Sequence, residues 1–195
     1  MKLLFLLLIC ITLQGHRVDL IEHLKDREGV KYVSYLDSLD KPTGGVGHLL
    51  TKEEQALYPI IEKVGTPIPE NVVNQWLEQD VKIAKAAAKN QLAELPNKPT
   101  QQFENALIGV NFQLGTNWYK EHKKTWKYLK EGKYTKASRE VFNSKWHQQT
   151  PKRTKDFNQA ILQFRNGIET QEYFADSTVN TTNNKGLFKK LKDLF

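Results

Sequence analysis

Apolar positions along most of this chain recur at helical spacing. Leu20, Ile21 and Leu24 mark one face of a short helix over 19–28, with Gly29 placed to cap it. The pattern changes over 30–48, where Tyr32, Val33 and Tyr35 precede Pro42-Thr43-Gly44-Gly45-Val46-Gly47. β-Branched and aromatic residues followed by glycines predict a short strand-and-turn sheet. Thr51-Lys52-Glu53-Glu54 is a capping-box start for another helix. Pro67-Ile68-Pro69-Glu70 opens a longer one, running through Trp76, Leu77, Val81 and Ile83 to about Leu95, before Pro96 and Pro99. Further short helices are expected over 103–114, 125–130, 134–143 and 152–164. The simplest architecture is α+β and mostly α: a small mixed N-lobe with a short β-sheet, a long connecting helix and an all-helical C-lobe.

Both ends differ from this middle. Met1-Lys2 and the apolar run 3–13 match a secretory signal, and fall short of the roughly 20 residues that span a bilayer. Residues 1–15 are therefore expected to be a signal peptide or membrane tether, and the protein to be exported to the periplasm or cell wall. At the other end, 177–185 is rich in Asn, Thr and Ser and reads as a linker. Beyond it, Leu187, Phe188, Leu191, Leu194 and Phe195 fall on one face of a helix, with Lys189 and Lys192 off that face and Lys190 in the same segment. A basic amphipathic segment of this kind suits an anionic membrane or lipopolysaccharide surface; docking as a last helix on the domain is the alternative. The division expected is 1–15, a domain over 16–174 (N-lobe about 16–68, connecting helix about 69–95, C-lobe about 96–174), and a linker with tail over 175–195.

Composition narrows the chemistry. The 195 residues are 39% hydrophobic, enough for a core and against overall disorder. A single cysteine, Cys10, excludes a disulfide framework and a Cys-rich zinc module. Twenty-nine basic against 22 acidic residues give +7, favouring an anionic partner. Nucleic acid is not expected, because the lysines are scattered and no binding motif accompanies them. No metal or other cofactor is expected either, since the five histidines lack ligand spacing.

Two carboxylates bracket the predicted sheet: Glu28 at the end of the first helix and Asp37 nine residues on. The pair alone assigns nothing, because 22 acids produce such spacings by chance. An anion at a helix C-terminus opposes the dipole, which is the direction expected of a functional residue. The full string Glu28-Gly29, Tyr35-Leu36-Asp37, Thr43, Gly45, Gly47-His48-Leu49-Leu50-Thr51 closely resembles the active-site segment of phage-type, T-even-like lysozymes of glycoside hydrolase family 24. Ala106-Leu107-Ile108 with Phe112-Gln113-Leu114-Gly115 resembles that family's central core helix, and 144–153 its late C-lobe motif. The likeness covers roughly 19–167.

The resemblance implies a lysozyme-like fold and a monomeric muramidase whose partner is peptidoglycan. It implies Glu28 as general acid, Asp37 as general base and Thr43 as the residue that helps hold the attacking water. A proton donor at the leaving oxygen and a base on the opposite sugar face, about 6.5–9.5 Å apart, give inversion. Leu49, Phe112, Thr125 and Glu140 match substrate-contact positions, although the family has asparagine where Glu140 stands. Gly45 and Gly47 are expected where backbone turns tightly. His48 is expected to be structural, in an ion pair with Asp80, and Arg153 to lie near Glu28. Two further departures, Asp40 for glycine and Gly44 for a larger apolar residue, predict a differently shaped loop after Asp37. Competing readings are a lytic transglycosylase, which needs no water-activating base, and a non-enzymatic protein that disrupts membranes or walls through its basic tail.

Overall fold

The computed structural model describes Leu20 to Lys192, with side chains as far as Gln171. The expected leader lies outside the described residues, as do the side chains of the basic tail. The chain is mostly helical with a small antiparallel sheet, the α+β class the pattern predicts. It divides into two compact units between Asp80 and Val81, inside one long helix.

In the first unit, helix α1 (Leu20–Glu28) stops at Gly29, whose φ of +74° ends the helix while its N–H donates to the Lys25 carbonyl at 2.9 Å. Three strands follow: β1 (Lys31–Leu36), β2 (Pro42–Gly45) and β3 (His48–Leu49), antiparallel in the order β1-β2-β3. Tyr35 pairs with Thr43 and Leu36 with Pro42, while Thr43 pairs with Leu49 and Gly44 with His48. Helix α2 (Lys52–Leu57) begins with the expected capping box, Thr51 and Glu54 each bonding the other's backbone N–H.

A second hairpin follows, β4 (Ile60–Ile61) and β5 (Val64–Gly65), which the hydrophobic pattern does not signal. Its two turn residues, Glu62 and Lys63, have φ of +50° and +67°, and neither is the glycine or asparagine that signals such a turn. The chain after it runs along the free edge of β1: Ser34 N–H donates to the Thr66 carbonyl, and Ile68 N–H to that of Tyr32. A Cβ on Gly65 would fall 1.6 Å from the Ser34 carbonyl oxygen, so only glycine permits this approach. Val46, Leu50, Ile68, Val73, Trp76 and Leu77 are buried in this unit, with Leu24 from α1.

Helix α3 (Glu70–Leu92) spans the division. In the second unit follow α4 (Gln101–Leu114), a 3₁₀ turn (Trp118–Lys120), α5 (Lys123–Lys130), α6 (Tyr134–Phe142), α7 (Lys145–Gln149) and α8 (Pro151–Lys192). Aromatic rings fill this core: Phe103 stacks on Phe164 at 4.8 Å and Trp118 meets Phe157 edge-on at 6.0 Å. A buried amide pair ties α3 to α4. Gln91 and Asn111 exchange two 2.8 Å hydrogen bonds, and the Trp118 indole donates to Gln91 Oε1 at 3.1 Å. Helix α8 continues as helix through 177–185, where the polar run reads as a linker. Asn, Thr and Ser are modest helix formers rather than breakers, and no proline interrupts them.

Candidate active site

The first unit gathers one set of the sequence-predicted residues. Glu28 is the last residue of α1, where Gly29 ends the helix. Asp37 opens the five-residue connection from β1 to β2. Its Oδ1 accepts the N–H of Leu39 at 2.8 Å and of Lys41 at 2.9 Å, and its own N–H donates to the Lys41 carbonyl. The short loop is thus closed around one carboxylate oxygen, which leaves the lone pairs of Oδ2 for another donor. Those hydrogen bonds, led by that of Lys41, hold the Asp37 carboxyl below its ordinary pKa although partial desolvation opposes them, so it is ionised at neutral pH.

Asp40 takes a φ of +57° in this loop. Aspartate is one of the few non-glycine residues that enters the left-handed region readily, so the replacement of the family's glycine keeps a backbone that glycine would also adopt. Gly44 has a different logic. A Cβ there would lie 2.6 Å from Ile68 Cδ1 and 3.2 Å from the Trp76 ring, so neighbouring side chains fill the space that a side chain at this position would need. Gly45 and Gly47 have φ of +59° and +82°, the tight-turn role expected of them.

Thr43 sits at the middle of the sheet, 2% exposed, and its hydroxyl donates to the Lys41 carbonyl at 2.9 Å. With its one hydrogen committed there, Oγ1 offers acceptor lone pairs to anything else that approaches. Thr43 is flanked in the ladder by Tyr35 on one side and by the exposed Leu49 on the other. Tyr35 belongs to the same motif as Asp37 and Thr43. Burial and then the charges of Asp37 and Glu28 raise its phenol above the usual range, so both carboxylates act on one hydroxyl.

His48 lies away from this chemistry. Its Nδ1 meets Asp80 Oδ2 at 2.8 Å, the expected ion pair, and its Nε2 meets Glu54 Oε2 at 3.1 Å. The ring stacks on Trp76 at 4.6 Å. Glu54 was missed as a partner because a capping-box glutamate already has a full local explanation. Burial disfavours the imidazolium, but the hydrogen bonds and charges of Asp80 and Glu54 outweigh it and raise the His48 pKa.

The second unit carries the other set. Phe112 is half-buried near the end of α4, Thr125 is buried in α5, and Glu140 of α6 lies 4.0 Å from Lys124. Lys124 thus faces the negative charge that stands in the asparagine's place. Arg153 is buried in the first turn of α8, beside Thr154, whose hydroxyl shares a 2.7 Å hydrogen bond with His147. Trp146, in the same motif, donates its indole N–H to Gln113 of α4 at 3.0 Å, linking the late motif to the central helix. Among the described residues, no three His, Cys, Asp or Glu side chains are grouped to hold a metal.

The model of the family described as phage lysozyme matches residues 25–159, spanning both sets. The chain belongs to the phage lysozyme family. Two curated relatives of this lysozyme come from Dictyostelium discoideum. Probable T4-type lysozyme 2 is 29% identical over 164 residues, covering 76% of this chain and 95% of that protein. Probable T4-type lysozyme 1 is 30% identical over 146 residues, covering 67% and 86%. As a phage lysozyme the chain is a glycosidase acting on peptidoglycan.

Proposed function

We propose that this lysozyme hydrolyses the β-1,4 bond between N-acetylmuramic acid and N-acetylglucosamine with inversion, Glu28 giving a proton to the leaving oxygen and Asp37 taking one from the attacking water. The observation that carries this is the β1–β2 connection. Asp37 is held ionised by two amides on one oxygen, and its other oxygen keeps its lone pairs beside the strand that carries Thr43. A water donating one hydrogen to Asp37 Oδ2 and the other to Thr43 Oγ1 would turn a lone pair toward the anomeric carbon.

Product analysis on purified peptidoglycan tests this. Glu28→Gln and Asp37→Asn should each lower the release of reducing ends by at least about 10²-fold, and NMR should find the α-anomer as first product. Anhydro-sugar products with Asp37→Asn still active would replace hydrolysis with transglycosylation.

The proposal extends to where the enzyme works. Export through the apolar segment 3–13, bacterial lysis as by a phage endolysin, action as a monomer and contact of the basic tail with anionic lipid together form the cellular reading. N-terminal sequencing of secreted protein and vesicle binding by the full chain test it.

A further inference from the structure

Tyr35 stands two residues before Asp37 on β1 and is paired with Thr43, which is paired in turn with Leu49. Residues directly opposed in antiparallel strands project from the same face, so Tyr35, Thr43 and Leu49 form one transverse row with Thr43 at its centre. The Lys31 ammonium lies 3.8 Å from the centroid of the Tyr35 ring and holds it by a cation–π contact. The phenol hydroxyl makes no hydrogen bond with another described residue. A fixed, half-buried ring with an uncommitted hydroxyl, next to an ionised carboxylate, is a donor set out for a ligand.

The ligand's chemistry follows from the neighbours. Asp37 Oδ2 and Thr43 Oγ1 both offer acceptor lone pairs, so neither can serve the hydroxyl and amide oxygens of an N-acetylated sugar, which need donors. Tyr35 supplies one, and with its ionisation disfavoured it remains an O–H through neutral and mildly alkaline pH.

We propose that Tyr35 is a further substrate-contacting residue, its hydroxyl donating a hydrogen bond to an oxygen of the sugar held over the Tyr35–Thr43–Leu49 row. This rests on the reading of Glu28, Asp37 and Thr43 given above.

The test uses the full chain and soluble, un-crosslinked glycan strands, with kcat, KM and Tm measured for Tyr35→Phe. That variant keeps the ring and the Lys31 contact and removes only the hydroxyl. It should lower kcat/KM about tenfold, the size of one hydrogen bond lost to substrate, with Tm unchanged. In a Glu28→Gln background, adding Tyr35→Phe should weaken binding of the same strands, a reading that needs no turnover. Tyr35→Leu, which also removes the platform for Lys31, should lose more activity and lower Tm. A Tyr35→Phe enzyme within twofold of wild type overturns the proposal, as does an activity loss matched by a fall in Tm, which makes the role structural. If wild type itself fails to cleave, the hydrolase reading falls, and the binding comparison still decides Tyr35.

Discussion

His48 shows how one residue can look catalytic and be structural. Its ring is sandwiched between two carboxylates and stacked on Trp76, and the charges of Asp80 and Glu54 overcome burial to raise its pKa. A histidine pKa raised by folding contributes stability that is fully present below the unfolded value and is lost as pH rises through the folded one. Glu54 is also pulled by burial, but the Thr51 amide and His48 outweigh it and lower its pKa. Its contribution is present above the unfolded value and is lost as pH falls through the folded one. The two limbs bound a window between about pH 4.5 and 6.5. Thermal unfolding of wild type and His48→Asn across pH should show the largest difference inside that window, about 1–3 kcal/mol, narrowing on both sides. A pH-independent difference would mean that Trp76 stacking, not charge, is what His48 provides. The Asp80 pairing was legible in the sequence, whereas Glu54 was hidden behind its capping role.

At the scale of elements, the sheet and its turns carry what spacing alone could not express. Motif residues gave the existence of a strand-and-turn unit, but not the register that aligns Tyr35, Thr43 and Leu49, because register depends on where each turn closes. The β1–β2 loop was expected to change shape with Asp40 and Gly44. In this chain Asp40 adopts the left-handed backbone open to glycine, and Ile68 and Trp76 occupy the room beside Gly44. Restoring bulk by Gly44→Ile should therefore cost about 1–3 kcal/mol from overpacking. Gly44→Ile with Ile68→Ala should recover part of that loss, readable in denaturant midpoints. The β4–β5 hairpin escaped prediction because Glu62 and Lys63 carry no turn signal. Each holds a positive φ at a cost of roughly 1 kcal/mol. Replacing them with Asn-Gly should raise stability by about 1–2 kcal/mol and leave kcat unchanged, since the turn lies outside the proposed site.

Across the whole molecule, charge is divided as sharply as the fold. Residues 1–80 hold 8 basic and 12 acidic side chains, a net −4, while residues 81–195 hold 21 and 10, a net +11. The proposed catalytic acids therefore belong to an acidic unit, and the helical unit carries the positive charge that suits an anionic wall. Helix α5 shows the arrangement locally. Thr125, Trp126 and Leu129 are buried while Lys123, Lys124, Lys127 and Lys130 line the outer face, where 74% of Lys124 and 70% of Lys127 side-chain surface is exposed. With the apolar residues turned inward, that stripe can attract only through charge, which salt screens. Composition announced the +7 but not its segregation, because only the division at Asp80 assigns each lysine to a unit. Cleavage of intact walls should therefore fall several-fold as NaCl rises from about 50 to 500 mM, a span over which screening shortens markedly. Cleavage of short, soluble glycan strands, each with only a few carboxylates, should change much less, because binding there depends mainly on contacts at the site. Replacing Lys120, Lys123 and Lys127 together with Gln should flatten the salt dependence on walls without altering kcat on the short strands. An unchanged slope in that variant would assign wall attraction to the other lysines of the helical unit, and an equal salt effect on both substrates would place the sensitivity in the site itself.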